Sequence, residues 1–297
     1  MKLLITGGTG LIGKQFIQSH PHHEYTVVTR SQTKAKQILP DSVTLLESLS
    51  GLDNLDRFDG VINLAGEPIV DKRWTDKQKR IICDSRWDIT QQLVTLFRES
   101  KNPPSVFLSG SAIGVYSDHG DFLITERDAA TQSDFASSVC QQWESIAKQA
   151  EPYTRVIALR TGIVLDPKGG ALAKMLMPFK MCLGGRIGHG RQYMSWIHIS
   201  DMVSAMELLL SRADVKGAIN MVAPTPVTNQ QFTEDLASTL HRVAVLPMPS
   251  AVLKLLLGES SALLLGSQRV IPERLLEASF NFQFPDLKAA LSDLLNQ

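Results

Sequence analysis

The chain has little cysteine: 3 in 297 residues, namely Cys83, Cys140 and Cys182, far apart and with no CxxC pair. That disfavours a disulfide framework and fits reduced thiols in a cytoplasmic protein. It has no excess of either charge, with 30 Lys plus Arg against 30 Asp plus Glu. Bulk electrostatic binding of nucleic acid or an anionic membrane is therefore not expected, and a local basic pocket is the most that remains. No basic run with interleaved aromatics is present. Long apolar stretches are missing as well. The amino terminus offers only Leu3 to Ile5 in a row, and later runs such as Leu255–Leu257 and Ala262–Leu265 are short. Neither a signal peptide nor a membrane span is expected. The histidines His20, His22 and His23 cluster around Pro21, but no neighbouring carboxylate or cysteine completes a ligand set, so no metal is expected.

What the chain does have is core material: 43% hydrophobic and 20% charged residues. Its length gives a prior of about two domains at ~150 residues each. Strand-like runs at 2–6, 25–29, 43–47, 60–64, 105–108 and 155–159 alternate with helix-like runs at 11–19, 33–39, 76–100 and 135–150. This rhythm predicts an α/β protein with a doubly wound parallel sheet, helices on both faces and right-handed crossovers. After about residue 165 glycines and prolines loosen the pattern. Segments near 196–199 and 218–222 are expected to return to the sheet. A small, mostly helical region follows from 247. The expected divisions are 1–165 for the dinucleotide-binding unit, 166–246 for a mixed substrate side, and 247–297 for a C-terminal module.

The strongest local signal is Gly7-Gly8-Thr9-Gly10-Leu11-Ile12-Gly13, between the first strand and the first helix. Gly7 permits a sharp turn. Gly10 lets backbone N–H groups reach a pyrophosphate with no Cβ in the way. Gly13 lets helix and strand pack closely. The helix start adds partial positive charge and unpaired donors. The bland alternative is a tight turn that binds nothing. The second strand ends Thr29-Arg30-Ser31, without the Asp or Glu that reads a ribose 2′-hydroxyl. Arg30 can fork onto a phosphate and Ser31 can add a hydroxyl, so NADP is expected over NAD. The alternative is that Arg30 is simply an exposed strand end. The fourth strand ends Asn63-Leu64-Ala65-Gly66-Glu67, and Leu64 to Glu67 should border the same crevice.

With GGTGLIG at 7–13, NLAG at 63–66, SGSAIGVYSD at 109–118, LRTGIVLDP at 159–167 and WIHISDM at 196–202, the chain resembles the extended short-chain dehydrogenase/reductase superfamily. AGEPIVDKRW at 65–74, the stretch 178–199 and the stretch 258–291 make it similar to the YfcH-type branch of epimerase-family proteins, over essentially its whole length. The resemblance implies a Rossmann domain, a nicotinamide cofactor and a small-molecule substrate between two parts, with nucleotide-sugars as one substrate class. It also implies a homodimer, which no residue here marks. The superfamily's YxxxK pair is absent. Residues four after Tyr25, Tyr116, Tyr153 and Tyr193 are Thr29, Gly120, Ile157 and Ile197, and Ala136 and Cys140 stand in the Tyr and Lys slots. Ser111 matches the superfamily's catalytic serine, or else satisfies a strand-end backbone group. Tyr116 is a candidate substitute acid/base, or else packing. Arg86 falls in a helix slot from which it could fork to phosphate, or else be structurally paired. The 184–190 glycine loop with Arg186 and Arg191 closes over a substrate phosphate or is a surface loop. Two functions remain open: an NADP-dependent oxidoreductase or epimerase-like enzyme, and an NADP(H)-sensing regulator.

Overall fold

The computed structural model describes residues 1–130 and 134–296. The chain enters at the middle of its sheet. Strand β1 (Lys2–Thr6) carries Leu3, Leu4 and Ile5, all fully buried, because helices cover both faces of a parallel sheet. Helix α1 (Leu11–Ser19), β2 (Glu24–Val28), α2 (Gln32–Ile38) and β3 (Thr44–Leu46) wind outward to one edge. The chain then crosses back to β4 (Gly60–Asn63), α3 (Asp76–Glu99), β5 (Val106–Ala112), the short β6 (Leu123–Ile124), α4 (Phe135–Lys148) and β7 (Arg155–Thr161). After β8 (Ile163–Asp166), α5 (Gly170–Lys180), β9 (Tyr193–Met194), β10 (Trp196–His198) and α6 (Ile199–Ser211), β11 (Gly217–Met221) closes the other edge. The sheet has seven strands in the order β11-β7-β5-β4-β1-β2-β3, all parallel. This is the doubly wound Rossmann-type arrangement that the rhythm predicts. Winding reverses between β1 and β4, so a crevice opens at the carboxyl ends of those two strands.

Helix ends mark where side chains do and do not supply partners. Thr75 caps α3 by accepting from Gln78 N, and Asp134 with Ser137 forms a full capping box on α4. Helix α3 buries Ile82, Leu93, Leu96 and Phe97 on one face, a helical period that the sequence displays.

Two expectations change. Strand β5 runs to Ala112 and β7 to Thr161, which places Ser111 opposite Arg160 in register. The Trp196–His198 segment does not rejoin the main sheet; β10 pairs with β8 in a ladder of its own. Gly162 explains the departure. A side chain there would stand 2.6 Å from the Ser195 carbonyl oxygen, so only glycine lets β8 peel away alongside β10.

The last segment comprises β12 (Val227–Thr228), α7 (Asn229–Thr239), α8 (Ser250–Leu257), α9 (Ala262–Leu265), β13 (Arg269–Val270), α10 (Glu273–Glu277) and α11 (Leu287–Leu295). It is sewn into the body. Strand β13 pairs with β6, and Asp201 accepts from the Gln283 and Phe284 backbone N–H groups. The His198 ring caps α6 by accepting from Ser200 N and stacks on Phe284 at 4.0 Å. One apolar core runs from Leu3 to Leu294, so packing shows no break at 165 or 246. Among the described residues no helix is long and apolar enough to cross a membrane.

Candidate active site

The glycine turn is a cradle with its side chains removed. Gly7 adopts φ +71°, and a Cβ on it would stand 2.6 Å from the Leu64 carbonyl carbon and oxygen. The turn can press against the end of β4 only because residue 7 is glycine. A Cβ on Gly13 would stand 2.7 Å from the Gly7 carbonyl oxygen. Thr9 lies half-buried in the turn, and Leu11 and Ile12 open α1 while packing on the core. Gly10 precedes the helix with no side-chain cap, and the first turn holds no acidic residue. Those N–H donors therefore face outward with the positive end of the helix dipole. Gly169, whose added Cβ would meet Leu11 Cδ1 at 2.9 Å, closes the far wall. This chemistry fits a dinucleotide diphosphate.

On the adenosine side, Arg30 is exposed just beyond β2 and has no ion-pair partner among the described residues. Ser31 caps α2, its hydroxyl accepting from Lys34 N at 3.5 Å. The Leu64–Glu67 segment leaves β4 past Gly7. Glu67 is paired with Lys72 at 3.0 Å; that hydrogen bond leads in holding its carboxyl below the usual range, with a smaller contribution from Arg30. Arg86 is structurally paired, the second of its two readings. Its guanidinium donates to Glu67 O and Ile82 O, both at 3.0 Å, and lies 5.3 Å from the Trp143 ring. It holds up the 65–67 loop from beneath, and a Cβ on Gly66 would strike it at 2.9 Å.

The other end of the crevice is built from side chains that satisfy one another. Ser111 Oγ donates to Glu144 Oε1 at 2.7 Å. Arg160 grips the same carboxylate bidentately, at 2.8 and 2.9 Å, and also donates to the Tyr116 oxygen at 2.7 Å. Tyr116 donates in turn to Asn220 Oδ1 at 2.8 Å. Every member of this chain is buried. Tyr116 is 0% exposed, and burial foremost pushes its phenol above the usual range despite Arg160. That is the opposite of what an acid/base near neutral pH needs. Of the two readings of Tyr116, substitute acid/base or packing, this burial fits packing, because the turn at Ile113–Tyr116 tucks under α4. Cys140 is also buried, and its thiol is pushed up to about 12, chiefly by burial.

A family model described as "NAD dependent epimerase/dehydratase family" matches residues 3–222. The chain belongs to that family. A second model, "Domain of unknown function (DUF1731)", matches residues 248–294, the C-terminal module. An epimerase family protein of Staphylococcus saprophyticus is 40% identical over 299 residues, covering 99% of each chain. Epimerase family protein SDR39U1 of Mus musculus is 36% identical, covering 99% of this chain and 100% of its own. The solved human epimerase family protein SDR39U1 (isoform 2) with NADPH superimposes with a TM-score of 0.92 at 32% identity, covering both chains completely. A Bacillus cereus UDP-glucuronic acid 4-epimerase in complex with NAD, at 15% identity and TM-score 0.78 over 100% and 97% of the two chains, shares the fold.

Ala136 and Cys140, which the sequence resemblance sets in the Tyr and Lys slots, lie buried on α4. Ala136 borders a cleft of about 320 Å³ between the sheet domain and the C-terminal module. Trp74 and Asp134 line one side, and Lys254, Leu263 and Gln268 the other. Gln268 Nε2 donates to Ile113 O and Ser117 O, and Lys79 pairs with Glu259 at 2.6 Å, so the module is pinned over the cleft. The 184–190 loop zips onto the module instead of standing free, with Leu246 N donating to Gly184 O and Gly188 N to Met248 O. A hollow of about 400 Å³ between α2 and β3 lies off the glycine turn and holds none of the candidate residues. Sequence reasoning missed Glu144, Arg160, Asn220 and Gln268. One signal was available for Arg160, a charge inside the apolar strand RVIALRT.

Proposed function

We propose that this protein is an NADP(H)-dependent oxidoreductase of epimerase-like type, acting on a small molecule held in the cleft under the C-terminal module. The observation that carries the reading is the cradle: Gly7 and Gly13, whose Cβ positions are taken by neighbouring backbone, flank Gly10 at an uncapped helix start. Gly7, Thr9, Gly10, Leu11, Ile12 and Gly13 would hold the diphosphate, and Leu64, Ala65, Gly66 and Glu67 would border the adenosine. Arg30 and Ser31 would take the 2′-phosphate. A relative of the same fold over its whole length carries NADPH, which supports the choice of NADP. Bound there, the nicotinamide would supply or accept a hydride. The chain's own task is then to orient the substrate and exclude water. Ser111 still has lone pairs to offer, but its proton is committed to Glu144. The proton for a reduced carbonyl must therefore come from the cleft or from solvent.

A second reading, an NADP(H)-sensing regulator, is favoured by one specific observation. The Tyr and Lys slots hold Ala136 and Cys140, and a single well-placed acid/base contributes roughly 10²–10⁴-fold in rate. Turnover of NADPH against carbonyls or nucleotide-sugars that Ser111→Ala abolishes supports the enzyme; cofactor binding with no turnover supports the sensor. The cofactor assignment is tested by fluorescence titration. Wild type should prefer NADPH over NADH by about tenfold or more, as a charge-assisted pair is worth, and Arg30→Asp should erase the preference. Equal wild-type affinities would refute the role given to Arg30.

A further inference from the structure

We propose that His22, His23 and Glu207 form a binding site for a divalent transition-metal ion of the zinc type. It lies at the amino end of the sheet, opposite the cofactor cradle. The two histidines sit in the connection from α1 to β2. The carboxylate arrives from α6, 184 residues away along the chain. His23 Nε2 lies 2.9 Å from Glu207 Oε2, and His22 Nε2 lies 3.3 Å from Oε1. Each carboxylate oxygen thus faces a different imidazole. One ligand atom from each of the three residues lies within 4.8 Å of the other two. Around a tetrahedral zinc with bonds of about 2.0–2.2 Å, ligand atoms stand about 3.3 Å apart, so small side-chain adjustments would suffice.

The surroundings match the chemistry. His23 is held rigidly, its side chain 4% exposed, between the stacked ring of Phe16 and the edge of Tyr25. His22 and Glu207 are 60% and 31% exposed, so solvent reaches the site and a water can take the fourth position. The His22 and His23 rings stand 4.0 Å apart. His20 turns its Nδ1 to Phe16 O at 3.0 Å and is not counted as a ligand. A bound ion would staple the α1–β2 connection to α6, two elements whose helices already pack together.

The test uses the full chain after treatment with chelator. Calorimetric titration with zinc chloride should give one equivalent bound with micromolar affinity, and the thermal midpoint should rise by several degrees at saturation, as for any ligand that binds only the folded state. His22→Ala and Glu207→Gln, both at solvent-reached positions, should each weaken binding about tenfold or more while melting near wild type without zinc. X-ray absorption of the zinc-loaded protein should show only nitrogen and oxygen neighbours. Wild-type affinity weaker than about 100 μM, unchanged binding in both variants, or sulfur in the coordination shell would each overturn the site. The last would move the metal to a cysteine.

Discussion

The two ends of the crevice are built on opposite plans. At the β1 and β4 ends, the cradle consists of backbone from which side chains have been removed, and its polar groups point outward. At the β5 and β7 ends, Ser111, Glu144, Arg160, Tyr116 and Asn220 point their polar groups at one another. The first region is organised to receive a charged ligand. The second is organised to be satisfied without one. The difference teaches that the two ends draw their order from different sources, backbone at one and paired side chains at the other, and it predicts that a change at one end leaves the other intact.

The largest expected effect breaks the closed end. Glu144→Ala strands the Arg160 guanidinium, which is about as buried as its partner. Removing one member of a buried ion pair costs roughly 3–5 kcal/mol, which chemical denaturation should register. If the two ends are separable, NADPH affinity of the folded variant stays near wild type. Replacing both partners, as Glu144→Leu with Arg160→Met, should recover much of the loss, because no charge is then left unpaired. A Glu144 variant that keeps wild-type stability but loses NADPH would join the two regions into one.

Next in size is the converse change at the open end. Gly10 has φ −75°, so alanine is free of backbone strain there, and its methyl would meet only the Gly7 carbonyl oxygen, at 3.2 Å. Gly10→Ala should therefore melt close to wild type. Its methyl would stand where backbone N–H groups approach the diphosphate, and NADPH affinity should fall about tenfold or more, equivalent to roughly 1.4 kcal/mol. Undiminished NADPH affinity would move the cofactor off this turn.

The same contrast explains what could be read before the structure. A backbone-built site needs glycine at positions set by local geometry, so Gly7, Gly10 and Gly13 announce it within seven residues. The parallel sheet was legible because short apolar runs such as Leu3–Ile5 in KLLIT and Val61-Ile62 in GVIN recur between helical stretches. The network was not. Its members come from β5, the turn after it, α4, β7 and β11; Arg160 alone shows in sequence as a charge inside an apolar strand, and no residue shows its partners. Register supplies the missing information: Ser111 pairs with Arg160 across adjacent strands, and α4 lies over both. Tyr116 was placed at the crevice by its closeness to Ser111 in sequence, but a single turn after β5 carries it into the core. Glu207 was invisible to the histidine cluster because only the packing of α6 on α1 brings it there. In both places a tertiary contact supplies what chain proximity leaves open.

The smallest effect probes how far the closed network stays dry. Glu126 accepts from Asn220 N at 2.9 Å through one oxygen, while Oε2 is buried with no partner among the described residues. Burial foremost raises its carboxyl pKa above the usual value, against the backbone hydrogen bonds that lower it. The unfolded chain titrates near 4.3, so in the window above that value the folded state binds more protons than the unfolded one. The stability Glu126 contributes is therefore complete below the unfolded pKa and is lost as pH rises through the folded one. Glu126→Gln keeps an oxygen acceptor for Asn220 N and removes the charge. Urea midpoints measured from pH 4.5 to 7.5 should decline in wild type relative to the variant, with the gap widening as pH rises. Curves that run parallel throughout would mean that water reaches Glu126, and that this end of the molecule is as open as the cradle.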